Sequence, residues 1–169
     1  MRSLKWSTSH AVFVAEIDDE HEDIFQAVAQ LQSALSSRGG VSDLDTFTQR
    51  LTACIAAHFA HEERLMRAAR YGSLRWHKQQ HDNARMRVGK FVARIGEGDS
   101  DAGSELVEYL KSWLHAHTRL ADQMMGAFLR NQRRCVKLTF RTGTKPVDSC
   151  DWIDSKGDRF APVRARKGF

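Results

Sequence analysis

The stretch His58-Phe59-Ala60-His61-Glu62-Glu63-Arg64-Leu65-Met66 decides how this chain is read. Residues four apart share one face of a helix, about 6 Å apart along its axis, so His58 and Glu62 project side by side. Apolar residues at helical spacing on either side turn that face inward: Leu44, Phe47, Leu51, Cys54, Ile55, then Leu65 and Met66. A buried carboxylate left unpaired costs on the order of several kcal/mol or more. The pair must therefore meet other side chains or a metal.

Outward from this helix the same period recurs. Residues 1–17 form an arm whose apolar contacts are Trp6, Val12, Phe13, Val14 and Ile17. Asp18 and Asp19 supply a cap and first-turn acids for a helix carrying His21, Ile24, Phe25, Val28, Leu31 and Leu35, ended by the run 36–40. Ser42 with Asp45 opens the second helix in the manner of a capping box, and that helix runs to about Arg70. Ser73 caps a third, with Leu74, His77, His81, Ala84, Val88, Phe91, Val92 and Ile95 on its stripe. The Gly- and Asp-rich run 96–103 is a loop. The fourth helix carries Leu106, Leu110, Trp113, Leu114, His117, Ala121, Met124 and Phe128 on one face. Four helices with short connections predict an all-α, up-down-up-down antiparallel four-helix bundle over residues 1–130. Beyond it lies a C-terminal extension, 131–169. There Val136, Leu138 and Phe140 alternate with polar residues before Gly143 and Pro146, a pattern of short strands or irregular chain.

Composition narrows the class. With 169 residues the chain can bury about two-thirds of its unfolded surface, and two prolines favour uninterrupted helices. Cys54, Cys135 and Cys150 show no C-x-x-C spacing, which reads as a reduced, cytoplasmic protein rather than a disulfide scaffold. No apolar run reaches the roughly 20 residues of a membrane span, and the amino terminus lacks a signal-peptide core. The net charge of +5 is uneven. Residues 1–129 hold 15 Lys and Arg against 17 Asp and Glu, whereas 130–169 hold 11 against 4. The basic tail can touch an acidic partner, but nothing in it specifies nucleic acid or membrane.

Every helix places a histidine in its apolar stripe: His21, His58, His77 with His81, and His117. A single such residue is ordinarily a hydrogen-bonded core histidine. The i,i+4 pair His77 and His81 is more pointed, because it makes a two-toothed clamp. Five inward histidines and Glu62 exceed what one tetrahedral zinc takes and suit zinc, iron, copper or nickel better than magnesium or calcium. Two metals are the natural reading. His10 in the arm and His115, turned away from His117, are poorer candidates. His61 is the alternative to His58, and Glu63 points away from His58.

These residues resemble the hemerythrins, most closely the bacterial single-domain forms. The resemblance rests on Trp6, Ile17-Asp18-Asp19-Glu20-His21, the His58–Met66 stretch, His77-x-x-x-His81, and Trp113-Leu114-His115-Ala116-His117 through Asp122, and it spans about residues 6–130. It implies a non-haem di-iron centre with bridging oxygen. One iron would take His77, His81 and His117, the other His21 and His58, with Glu62 and Asp122 bridging. That ligand set leaves one position short of two six-coordinate irons, on the side of His21 and His58, and O2 would bind there. The implied function is reversible oxygen binding by a monomeric carrier, not an enzyme. Leu114, Thr118, Phe25 and Phe59 are the candidate walls of the oxygen pocket.

Two features depart from a simple pattern. Asp122 lies five residues after His117, about 140° round an ideal α-helix, and a π-type widening would bring the two together. Thr118 follows the last histidine where relatives carry Ile, so its hydroxyl is expected to speed autoxidation. Two other functions compete. An oxygen or redox sensor would act through the basic tail, where Arg130-x-x-x-Arg134 matches only the arginine part of a PilZ motif; the Asp-x-Ser-x-x-Gly part is absent and about 39 residues are too few for that barrel. A peroxide- or nitric-oxide-reducing enzyme would need a proton donor, and only Thr118 stands out. Glu62→Ala is expected to cost both metals, and Glu63→Ala little.

Overall fold

The computed structural model describes residues 4–36, 41–142, 152, 153, 159 and 160. The chain divides into two units, residues 1–130 and 131–169. In the first, a short 3-10 turn at Thr8–His10 precedes α1 (Ala15–Ser36), α2 (Val41–Ala68), α3 (Leu74–Gly96) and α4 (Ala102–His117). A π-turn over Thr118–Asp122 then leads into α5 (Gln123–Thr142). Helix α1 packs on α2 and α4, and α3 packs on the same two, closing an antiparallel four-helix bundle. Helices α4 and α5 with the π-turn between them form its fourth rod.

Apolar stripes explain the packing, and they fall into two groups. One cluster contains Ile24, Phe25, Val28 and Leu31 of α1 with Leu51, Ile55 and Phe59 of α2, Ala84 and Val88 of α3, and Leu106, Leu110 and Leu114 of α4. The second gathers Val12, Val14, Ile17, Met66, Tyr71, Met125 and Leu129. On α1, α3 and the fourth rod the cluster histidines fall between residues of these two groups; on α2 Glu62 falls between Phe59 and Met66, with His58 one residue before Phe59. The polar layer is therefore bounded by hydrocarbon at both ends.

The ends of the helices correct several expectations. Helix α1 begins at Ala15, so Asp18 lies in its first turn, where its carboxylate accepts the Val12 N–H at 2.7 Å and ties down the arm. Ser42 lies one residue inside α2 rather than ahead of it. Ser73 occupies the N-cap of α3, but its side chain makes no capping bond. Helix α2 ends with Arg70 at φ 53° and a Tyr71 N–H to Met66 carbonyl bond of 2.9 Å, a left-handed closure usually given to glycine.

The arm lies against α5 at Gly126. A Cβ there would stand 2.6 Å from the Val12 carbonyl oxygen, so only glycine permits the approach. The Arg130 guanidinium donates to that same carbonyl. Beyond residue 130 the helix continues to Thr142, so Val136, Leu138 and Phe140 are helical and not in a strand. Their alternation is short enough to be accommodated by either period. The second unit also contains an antiparallel pair, β1 (Trp152–Ile153) and β2 (Arg159–Phe160). Gly143 and Pro146 lie outside the described residues. No helix among the described residues is long and apolar enough to cross a membrane.

Candidate metal centre

The four rods bring seven predicted side chains to one buried point. Two donor sets form there: Glu62, His77, His81, His117 and Asp122 in one, and His21, His58, Glu62 and Asp122 in the other. Within each set the donor atoms lie within 4.8 Å of one another, and Glu62 and Asp122 belong to both. Asp122 Oδ1 stands 3.0 Å from His117 Nε2 and 3.1 Å from His77 Nε2, while its Oδ2 is 3.2 Å from His21 Nε2. Glu62 Oε2 stands 3.1 Å from His81 Nε2, 3.3 Å from His77 Nε2 and 3.8 Å from His58 Nε2.

Helical geometry accounts for each position. His58 with Glu62, and His77 with His81, are i,i+4 pairs on single faces. Asp122 reaches the cluster because the backbone widens into a π-turn from Thr118 to Asp122. The wider turn also shifts the buried register by one residue. Met125 and Leu129 are buried in place of the expected Met124 and Phe128, and Met124 is 47% exposed.

These atoms fit a metal better than each other. His21, Glu62, His77, His81 and Asp122 are 0% exposed, so water cannot satisfy them. Both ring nitrogens of His21 and His77, and both carboxylate oxygens of Glu62 and Asp122, lack a hydrogen-bond partner despite these short separations. Their lone pairs converge on shared points instead of aiming along N–H···O lines. His81 Nε2 and His117 Nε2 face one another at 3.1 Å, an awkward pairing for two imidazoles but a natural one for two ligands of one ion. Imidazole and carboxylate together suit a borderline transition metal.

The protein's own charges prepare the site. Burial and Asp122 push the Glu62 carboxyl up, but His58, His77 and His81 outweigh them and hold it at about 2. Asp122 is likewise held well below the carboxylate range, burial being overcome by His117, His21 and His77. Burial alone would lower His77, yet Asp122 and Glu62 raise it to about 9. His81 is lowered, chiefly by burial. Both carboxylates are therefore ionised and ready to ligate.

Three expectations change. Glu63 turns away from His58 but is buried, accepting from Arg67 and Arg85 at 2.9 Å and lying 3.4 Å from His81 Nδ1. It is thus not the neutral bystander expected, because the direction away from His58 leads toward α3. His61 stays outside both sets and bonds Glu20 instead. The Thr118 hydroxyl donates to the Leu114 carbonyl at 2.8 Å, so its proton is already engaged. Glu20 itself escaped the sequence reading, since only the register of α1 against α2 brings it to His58. Phe25, Phe59, Leu114 and Thr118 are all buried. Phe59 stacks on His81 at 3.9 Å and Trp113 on His117 at 4.3 Å.

A helical bundle holding a buried histidine–carboxylate cluster able to hold metal defines the class of protein. A profile described as hemerythrin HHE cation binding domain matches residues 12–129, and the chain belongs to this family. It is 31% identical over 117 residues to myohemerythrin-1 of Phascolopsis gouldii, covering 69% of this chain and 87% of that protein. It is 30% identical over 117 residues to a hemerythrin of Siphonosoma cumanense, covering 69% of this chain and 86% of that one. A bacteriohemerythrin of Ralstonia nicotianae is 30% identical over 129 residues, 76% of this chain and 90% of that one. The crystal structure of a wild-type hemerythrin superposes with a TM-score of 0.71 at 22% identity, covering 76% of this chain and 98% of that chain, which shows the shared fold.

Proposed function

We propose that this protein binds O2 reversibly at a non-haem centre of two iron ions. His77, His81 and His117 would ligate one ion, His21 and His58 the other, and Glu62 and Asp122 would bridge them. The observation that carries this reading is the inequality of two donor sets sharing both carboxylates, five residues against four. A poorer set beside a fuller one leaves room for an exogenous ligand on the side of His21 and His58. Two such ions, when bound, would supply the two electrons that O2 takes up on binding and would take them back on its release.

The chain's own contribution is exclusion and restraint. Phe25, Phe59, Leu114 and Thr118 are assigned to the pocket wall on their burial, and they keep bulk water from the cluster. Among the described residues of that wall only Thr118 bears a hydroxyl, and it is bonded to its own helix. A wall without a free acid favours carriage over turnover. The bundle, residues 1–130, is assigned as the oxygen-binding domain, acting as a monomer in the cytoplasm. The basic extension is assigned as a separate contact for an acidic partner.

Iron counting and one optical spectrum test this. Two irons per chain and an oxy spectrum that survives repeated cycling between oxygen and nitrogen are expected. Immediate conversion to the diferric form on first exposure would remove the carrier function.

A further inference from the structure

Glu20 immediately precedes the cluster residue His21 on α1 but faces α2. Its two oxygens each take one imidazole: Oε2 lies 3.0 Å from His58 Nδ1, and Oε1 lies 2.5 Å from His61 Nδ1. A carboxylate only accepts, so both nitrogens carry the shared protons. That fixes His58 with its lone pair on Nε2, the atom facing Glu62.

The other half of the cluster has a matching carboxylate with different surroundings. Glu63 approaches His81 Nδ1 at 3.4 Å, but Arg85 and Arg67 each bind it at 2.9 Å. Its charge is compensated. No Lys or Arg among the described residues pairs with Glu20, which is held by the two histidines. His21 Nδ1 and His77 Nδ1 have no partner at all among the described residues. Of the histidines in the four-residue set, only His58 is therefore backed by an anion.

We propose that Glu20 is a positioning residue that sets the tautomer of His58 and makes it the strongest imidazole donor of the cluster, thereby differentiating the two metal positions. The electronic half of this rests on the ligand assignment made above. An imidazole whose Nδ1–H is held by an uncompensated carboxylate gains basicity at Nε2. The donor-poor position is thus supplied with an electron-rich ligand, which stabilises its ferric state relative to the other.

The full chain tests this through Glu20→Gln, Glu20→Ala and, as comparator, Glu63→Gln. In metal-free protein at alkaline pH, nitrogen NMR of the imidazoles should show His58 protonated on Nδ1 in the wild type. Glu20→Gln should keep that tautomer through its amide oxygen, and Glu20→Ala should lose it. With iron bound, both Glu20 variants should raise the midpoint potential, whereas Glu63→Gln should move it much less. Iron affinity should fall about 10–100-fold in Glu20→Ala, the range for loss of such a partner. A His58 tautomer unchanged in Glu20→Ala overturns the positioning, and it does so even if the wild type takes up no iron, a result that would separately sink the oxygen-binding function. Equal potential shifts in Glu20→Gln and Glu63→Gln overturn the differentiation.

Discussion

His77, His81 and His117 come from α3 and the end of α4, and two of their rings are clamped face-on by Phe59 and Trp113. His21 and His58 come from α1 and α2, tilted at 60° with centroids 4.6 Å apart, and neither is stacked in this way. The first group is held by aromatic faces and by a longer contact from His81 to the arginine-bound Glu63, the second by a hydrogen bond from His58 to Glu20, which has no arginine on it among the described residues. Both groups depend on the same two carboxylates. A site assembled this way has one half fuller in donors and faced by aromatic rings, and the other poorer in donors. Asymmetry in such a bundle therefore comes from what surrounds the donors as much as from their number.

Shared donors give the largest expected effect. On the proposed two-iron centre, Glu62→Ala and Asp122→Ala should each lower bound iron from two ions to none, since each removes a donor from both sets. His21→Ala removes a donor from the smaller set alone and should leave one tightly held ion. Metal-to-protein ratios after desalting measure this. A single retained ion in Glu62→Ala would mean that the halves are independent.

Protons come next, and they act on both halves: burial lowers His58, but Glu62, Glu20 and Asp122 raise it. His77 has its ordinary value of 6.5 raised to about 9, against the effect of burial, by Asp122 and Glu62. Between those values the metal-free protein keeps a proton that iron must expel. The sign follows: affinity should climb by up to about tenfold per pH unit from neutrality and level off near pH 9. In the metal-free protein the same raised value stabilises the fold fully below 6.5, and this is lost as pH rises through about 9. Metal titrations in weakly buffered indicator dye should register the released proton, and a pH-independent affinity would break this account of the fuller half.

Glu63 tests the support of that half. Removing a buried carboxylate held by Arg85 and Arg67 leaves a guanidinium and the His81 Nδ1–H short of an acceptor, at a cost on the order of 1–3 kcal/mol. Iron affinity of the five-residue set should fall about tenfold in Glu63→Ala, the low end for such partners. Thermal unfolding and iron titration measure the two losses separately.

The sequence carried the bundle because burial of four helical stripes leaves little choice of architecture, and its histidines declared themselves by interrupting those stripes. Asp122 was legible only through resemblance, since an ideal helix points it elsewhere and the π-turn that recovers it has no local signature. That same turn makes Met125 and Leu129 the buried residues, with Met124 exposed and Phe128 only partly buried against the core. Glu20 and Glu63 were illegible for another reason. Each acts across a helix–helix contact, and a single sequence does not state the register between neighbours. Beyond Asn131 the alternation at Val136, Leu138 and Phe140 misled, because three alternating residues are too short a run to identify a strand by period.

The smallest expected effect concerns Thr118, at the junction of the two halves. Its hydroxyl is 2.8 Å from the Leu114 carbonyl, the i−4 bond a buried Ser or Thr forms within its own helix. A donor engaged in this way has no second proton to offer. Thr118→Val removes the hydroxyl at nearly constant volume, so conversion to the ferric form should change by no more than about threefold, on the order of one weak interaction of under 1 kcal/mol. The longer Thr118→Ile enters a site that is only 1% exposed, and overpacking there should cost about 1–3 kcal/mol in stability. Any slowing it produces would then reflect volume rather than lost polarity. Stopped-flow oxidation of the two variants separates these terms. A tenfold slowing shared by both would mean that the hydroxyl reaches the proposed oxygen pocket, and that polarity at its wall tunes the donor-poor half of the site beside the effect proposed for the carboxylate behind His58.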